Sequence, residues 1–430
     1  MTHSRRRFLA SSASLAILPA IPIGRLVRRG DAGSRAAEQP QDAWVAHARQ
    51  QIPAAMESRY FQTGGIGPSP NAVIDEVKER LEFQNQGPAD PRYSRDMARI
   101  EPELRAQLAR VFGARGTEVA LTHSTSEGIS IVAWSLNWTE GDEVIVSNQE
   151  HPANVVPWYV LRDRFGVQIR EVDLSSGTDL LSEIGAQLSG RTRLVSLSHV
   201  SRNNGRRIDV DESAELGELL RGRGVRYHLD GAQGPGCVPV DFHALGCDCY
   251  STCGHKWLLG PKGTGALFVR EAILDDVRLS WAGAHSHETM DYVGGYELLP
   301  SAARFEFGTR ALADFAGLGR ALSWMDDLGL ERVTDRIQRL VGHAVERVSG
   351  SSILGIMSPT DERSRSGVFV VELPDGCDST DLYNRMMDEE SILASPVRSA
   401  RGFRLAIHFF NTREEIDEAI SAIEVRCAAE

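Results

Sequence analysis

The 430-residue sequence is short of positive charge, with 47 lysines and arginines against 59 aspartates and glutamates and a formal net charge of −12. Much of its basic character sits at the start. The first 35 residues hold seven arginines and one aspartate, a local +6, which leaves −18 on the remainder. So acidic a chain lacks the basic surface that nucleic acid requires, and no nucleic-acid partner is expected. No G-x-G-x-x-G follows the first strand-like run, which argues against a nicotinamide-binding enzyme. Neither an internal repeat nor a long low-complexity tract occurs. Six cysteines are present, at 237, 247, 249, 253, 377 and 427, but none forms the paired C-x-x-C of a zinc ribbon. Cys247 and Cys249 instead alternate along a buried strand as small apolar residues, and no metal is expected.

The N-terminus has no apolar run long enough to span a bilayer comfortably, since Pro19 and Pro22 interrupt it. What it has is "SRRRFLASSASLAILPA", with Arg5, Arg6 and Arg7 ahead of Phe8, Leu9 and a short apolar stretch. A charged segment before such a stretch describes an export signal, and paired arginines fit the twin-arginine type. Residues 1–35 are therefore read as a twin-arginine signal peptide, with "SRA" at 34–36 a weak cleavage candidate. The expected partner is the twin-arginine translocation machinery and the expected location the periplasm.

From residue 118 to 232 two periods alternate. "EVALTHS", "DEVIVSNQ", "QIREVDL", "TRLVSLSHV" and "VRYHLDGA" read as strands, with helix-like runs such as "EGISIVAWSLNW" between them. Alternation of this kind implies right-handed crossovers and a mostly parallel sheet covered on both faces. "CDCYSTC" and "GTGALFVR" read as two further strands. After about 310 long helical runs lead into short strands, "GVFVVEL" and "GFRLAIHFF". The expected division is an N-terminal arm at 36–60, a large domain at 61–310 and a smaller α+β domain at 311–430.

Chemistry-bearing residues fall beyond strand ends, where open parallel sheets bind ligands. "HSTSEGIS" sets Ser124 as a helix cap with Glu127 three residues on, a capping box, and puts Thr125 and Ser126 in the first turn. Hydroxyls at a helix start suit a phosphate, although most caps only cap. Asp230 ends a strand before a glycine-rich turn; it either caps that turn or holds a ligand's protonated ring nitrogen, with Gln233 near a ring substituent. Lys256 stands at the edge of an apolar segment, where an amine can serve as a nucleophile; the ordinary alternative is a snorkelling surface lysine. Lys262 belongs to the "GPKGTG" turn. A phosphate cradle, a strand-end aspartate and such a lysine together match pyridoxal 5'-phosphate.

"YFQTGGIGPSP", "HSTSEGIS", "EHPANVVPW", "HLDGAQ", "GHKWLLGPKGTGALFV", "RFEFGTR" and "FRLAIHFFNTREEID" occur in one order over residues 60–420. In these motifs the chain resembles the class V aminotransferase superfamily, which includes cysteine desulfurases and isopenicillin N epimerase-like proteins. The resemblance implies an α/β fold of the fold-type I pyridoxal-phosphate transferases, with a large mostly parallel sheet and a smaller α+β C-terminal domain. It implies Lys256 as the Schiff-base lysine, Asp230 on the pyridine nitrogen, His151 stacked on the ring and Gln233 on its phenolic oxygen. Thr125, Ser126 and His255 would hold the phosphate. Thr309 would reach the phosphate of a neighbouring subunit, so a homodimer is expected, and Arg404 would clamp a substrate carboxylate.

Three departures stand out. Cys253 occupies the place of a phosphate-binding serine, so either Thr252 compensates or the phosphate is held more loosely. Arg202, in "SHVSRNNG", stands near a small polar position and receives no role. The loop "ESILASPVRSARGF" carries no cysteine where desulfurases keep their nucleophilic thiol. The expectation is an aminotransferase-like enzyme acting at Cα of an amino acid or a peptide-bound amino group, then an epimerase or a carbon–sulfur lyase, and not a persulfide-forming desulfurase. A non-catalytic cofactor-binding protein is the remote alternative.

Overall fold

The computed structural model describes residues 42–175, 178–397 and 401–428, so the arginine-rich N-terminal segment lies outside the described residues. Seven strands form the large sheet: β1 (Val119–Thr122), β2 (Glu143–Ser147), β3 (Gln168–Val172), β4 (Thr192–Ser198), β5 (Arg226–Asp230), β6 (Cys249–Cys253) and β7 (Gly265–Val269). All seven fall on the expected strand segments. Their order across the sheet is β1-β7-β6-β5-β4-β2-β3. β7 pairs antiparallel with both neighbours, while the pairs from β6 across to β3 are parallel.

The apolar runs are buried on both faces because side chains alternate along a strand. Leu121, Ile145, Val195, Leu229 and Phe268 pack into one cluster. Their sequence neighbours Ala120, Val144, Leu194 and Leu267 pack into a second, on the opposite face. Edge strand β3 departs from this pattern and exposes charged Glu171, which blunts further strand pairing.

The helix α1 (Thr125–Trp134) leaves β1. Its expected capping box forms only by half. Ser124 Oγ accepts from the Glu127 N–H at 3.2 Å, but the Glu127 carboxylate turns to the His123 N–H at 2.6 Å and to His123 Nδ1 at 2.8 Å. The exposed ring of His123 offers that carboxylate a second partner, which the Ser124 N–H alone cannot.

Beyond residue 310 come α2 (Leu312–Leu328) and α3 (Leu330–Ser349), then a four-stranded antiparallel sheet of β8 (Gly355–Ile356), β9 (Val368–Glu372), β10 (Ser395–Val397) and β11 (Gly402–Ala406), in the order β8-β9-β11-β10. The helices α4 (Ser379–Glu390) and α5 (Arg413–Cys427) complete this part. The capping box at Thr412 and Glu415 forms in full. Cys377 and Cys427 are joined by a disulfide that ties the approach to α4 to the end of α5. No sequence spacing had singled out that pair.

Two links place the site. The short strand Arg59–Tyr60 pairs parallel with Ile392–Leu393, and Gln62 bridges to Ala406 at the end of β11. The loop "QTGGIG" is thereby laid between the two sheets, against the turn that holds Lys256.

Candidate active site

β6 ends at Cys253, and Lys256 follows in the turn before β7. That turn is clamped by backbone. The Gly67 N–H donates to the His255 carbonyl at 2.7 Å, and a Cβ on Gly67 would lie 1.9 Å from the Lys256 carbonyl oxygen. Only glycine allows this approach. Leu259, fully buried three residues on, holds φ = 58°, a left-handed conformation that a branched side chain adopts only under constraint. Lys256 itself is half-buried and makes neither a hydrogen bond nor an ion pair among the described residues. Lys262 is exposed in the following turn, with Gly263 at φ = 77°.

Four groups feel the charge of Lys256. Asp230, at the end of β5, is raised above the usual carboxylate range because burial disfavours its charge, while the Ala232 N–H and Lys256 pull it back. A protonated ring nitrogen at that spot would supply the counter-charge that burial withholds. His151 is lowered to about 4 by burial and then by Lys256, Arg202 and Arg404. Its Nδ1 accepts from the Ala153 N–H at 3.0 Å, so the neutral ring carries its proton on Nε2 and presents an uncharged face. His255 is lowered to about 4 by burial, Lys256 and Lys262, and its buried Nδ1 has no partner. The Cys253 thiol is raised by burial, against the pull of Lys256 and of Thr125 beside it.

The phosphate question resolves by strand alternation. Thr252 donates to the Gly231 carbonyl at 3.2 Å and is committed there. Cys253, whose thiol makes a long contact to the Ala232 carbonyl at 3.9 Å, lies beside Thr125, whose buried hydroxyl has no hydrogen-bond partner. Ser126 is exposed beside it in the first turn of α1. Thr125 Oγ1 and His255 Nδ1 are thus buried polar atoms without partners, both next to Cys253. A hydroxyl and an imidazole of this kind at the start of a helix fit a phosphate.

Gln233 is fixed before any ligand arrives. It donates to the Gly64 carbonyl at 2.7 Å and accepts from Trp257 Nε1 at 2.7 Å, which leaves one amide hydrogen for a ring substituent. Arg404 on β11 is buried, donating to Ser395 Oγ at 3.2 Å and to the Arg202 carbonyl at 3.4 Å, with Nε unpartnered. Thr309 does not join this group. It is exposed on the loop before α2 and makes no hydrogen bond with the pocket residues.

Sequence reasoning missed Gln62 and Gly67. Gln62 donates to the Ala394 carbonyl and accepts from Ser395 Oγ at 2.9 Å, thereby holding the serine that holds Arg404. Their signal was present in the "QTGGIG" motif, but nothing local assigns it to Lys256. Beneath His151, buried Glu150 is pushed up to about 7 and bonds Ser147, Asn154 and Ser198. A polar cleft of about 920 Å³ adjoins the pocket and includes Gln149 and Asn203, but none of the predicted site residues lines it.

The aminotransferase class-V family model matches residues 59–418. The chain belongs to the class-V aminotransferase family. Similar members are the cysteine desulfurase of Salmonella dublin, 32% identical over 74% of this chain and 80% of that one, and the cysteine desulfurase of Salmonella newport, 30% identical over 85% and 92%. Among solved structures, a C-DES variant with glycine covalently linked to its pyridoxal-phosphate cofactor superposes with a TM-score of 0.82. It is 25% identical, covering 87% of this chain and 98% of that one. This class-V aminotransferase-family member is a pyridoxal-phosphate enzyme of the α/β fold-type I class.

One expectation is overturned. The cysteine-free loop before Arg404 had argued against a persulfide-forming desulfurase, yet the relatives at 30–32% identity are named cysteine desulfurases. Carbon–sulfur cleavage itself had stayed open, and only the persulfide-forming type had been set aside. A loop thiol bears on where the leaving sulfur is received, not on whether the carbon–sulfur bond breaks. Residues 398–400 of that loop lie outside the described residues.

Proposed function

We propose that this family member cleaves the Cβ–S bond of a sulfur-bearing amino acid after export, the desulfurase type of chemistry named for its relatives. The observation that carries the reading is Lys256, unpaired and half-buried between neutral His151 and buried Asp230, in a chain whose relatives are cysteine desulfurases. Transamination, the first expectation from sequence, yields to it because those names favour loss of sulfur.

Pyridoxal phosphate, when bound, supplies an electron sink that acidifies the Cα–H of a substrate amino acid. Lys256, Asp230, His151, Gln233, Thr125, Ser126, Cys253 and His255 would hold it. Arg404 would orient the substrate carboxylate, so that the Cα–H meets the Lys256 amine. Lys256 would take that proton at Nζ, while the sulfur leaves Cβ with the bonding pair. The neutral ring of His151 covers the site without adding a cation next to Lys256.

Export is supported by the twin-arginine segment at Arg5–Arg6 and by the Cys377–Cys427 disulfide, since disulfides persist in oxidising compartments. A homodimer is supported by exposed apolar residues near Thr309. Trp281 packs on Phe307, and Tyr292, Val293 and Tyr296 of the neighbouring hairpin stand bare. The deciding experiment incubates purified holoenzyme with L-cysteine, L-cystine and a thiol, and assays sulfide, alanine and pyruvate beside a Lys256→Ala control. Release of sulfur with alanine or pyruvate in the wild type alone is expected. Pyridoxamine phosphate with a keto acid, and no released sulfur, would replace this reading by transamination.

A further inference from the structure

A simple sulfur amino acid brings one carboxylate to this pocket, yet two guanidinium groups wait there. Arg404 is 5% exposed and reaches only a hydroxyl and a carbonyl. Arg202, in the loop after β4, is half-buried, and its side chain has no hydrogen bond or ion pair among the described residues. The two are neighbours, because Arg404 Nη1 donates to the Arg202 carbonyl. Burial alone holds the Arg202 guanidinium below its usual range, and both arginines act on His151.

The local carboxylates are occupied elsewhere. Glu150 is bonded to Ser147, Asn154 and Ser198, and Asp230 accepts from Ala232. Lys256, Arg202 and Arg404 therefore face the pocket against a single buried aspartate. Burial disfavours an unpaired guanidinium, and a bound anion offsets that penalty. The α-carboxylate satisfies Arg404 and leaves Arg202 over. Next to Arg202, Asn203 donates to the Gln149 carbonyl, and both residues line the polar cleft.

Resting on the carbon–sulfur reading above, we infer that the substrate is a sulfur amino acid whose sulfur carries a second anionic group, with Arg404 taking the α-carboxylate and Arg202 the distal anion. Such a substrate is cleaved in balance without oxidant or reductant. The Cα–H and Cβ–S bonds break, sulfur departs with the bonding pair and acquires a proton, and water completes pyruvate and ammonium. For S-carboxymethyl-L-cysteine the sulfur product is thioglycolate.

The test compares that compound with its isosteric neutral amide, S-carbamoylmethyl-L-cysteine. In Lys256→Ala holoprotein, which holds ligand without turnover, equilibrium dialysis is expected to give at least ~10-fold tighter binding of the acid. The double variant Lys256→Ala/Arg202→Gln should lose that ratio, and Lys256→Ala/Arg202→Lys should keep part of it. In otherwise wild-type enzyme, Arg202→Gln should bring the acid-to-amide ratio of kcat/KM down to about 1, chiefly through KM. Equal binding of acid and amide by Lys256→Ala overturns the inference, even if wild type cleaves both. A binding preference without cleavage of either compound would uphold the second anion site and sink the carbon–sulfur reading instead.

Discussion

Two clusters of buried charge in this molecule obey opposite rules. Behind β1, Glu306 accepts from Arg105 at 2.9 and 2.7 Å, from Arg310 at 2.6 Å and from the Leu121 N–H at 2.7 Å, while Arg310 also reaches Glu101 at 2.5 Å. Every lone pair on that carboxylate has a donor. In the pocket, Lys256, Arg202 and Arg404 have no carboxylate within ion-pair distance among the described residues, and Thr125, His255 and Arg404 each leave a buried polar atom idle. Burial disfavours charge in both places. The first cluster offsets the penalty in part from within, although burial still holds the Glu306 carboxyl above its usual range against the pull of Arg105 and Arg310. The second leaves it standing, and a cofactor and an anionic substrate are what remove it. Unpaired buried charge is thus the mark that separates a site from a scaffold here.

The sharpest way to break this contrast is to alter each cluster and read both activity and stability. Lys256→Ala should lower carbon–sulfur cleavage by at least ~10³-fold while leaving the urea midpoint of the apoprotein nearly unchanged. Glu306→Gln should do the reverse, costing about 3–5 kcal/mol of stability because Arg105 loses its carboxylate and Arg310 keeps only Glu101, with kcat per folded molecule retained. Arg404→Gln should raise KM by ~10–100-fold and leave stability nearly level, since the guanidinium loses only long hydrogen bonds to Ser395 Oγ and the Arg202 carbonyl and no ion pair among the described residues. A destabilised Arg404→Gln, or a Glu306→Gln that keeps its stability, would erase the distinction.

The smallest effect is on pH. His151, His199, His255 and His408 are lowered to about 4 and His228 to about 3, all chiefly by burial. Folded values below the unfolded 6.5 mean that the unfolded chain binds more protons between pH 6.5 and 4. Stability is then fully present above pH 6.5 and is lost on acidification toward 4. Glu150 acts oppositely. Its folded value of about 7 exceeds the unfolded 4.5, so its share is present below pH 4.5 and lost as pH rises through 7. Urea midpoints of Glu150→Gln against wild type at pH 5 and 8 should diverge, with the variant gaining relative to wild type at pH 8. No divergence would place Glu150 outside this balance.

Much of the site was legible because each strand-end residue carries a local signature. Asp230 precedes a glycine turn, Lys256 edges an apolar run, and Thr125 and Ser126 open a helix. Arg202 was noticed but left without a role, since a loop arginine looks the same whether it meets solvent or a pocket. Thr252 and Cys253 could be told apart only once β6 fixed which faced Thr125. The missing loop cysteine misled because a local absence was allowed to decide a reaction.

Periodicity and turn chemistry by themselves determined the seven strands and the crossover α/β architecture, because these depend on residues close in sequence. The tertiary structure alone decided what depends on distant segments meeting. Gly67 packs on the Lys256 carbonyl, Gln62 steadies Arg404 through Ser395, and Cys377 joins Cys427 across 50 residues. The same holds for the meeting of Arg404 with the Arg202 carbonyl, which brings two guanidinium groups together without a carboxylate between them among the described residues. Whether a charge is paired is a property of the space around it, and no stretch of sequence contains that space.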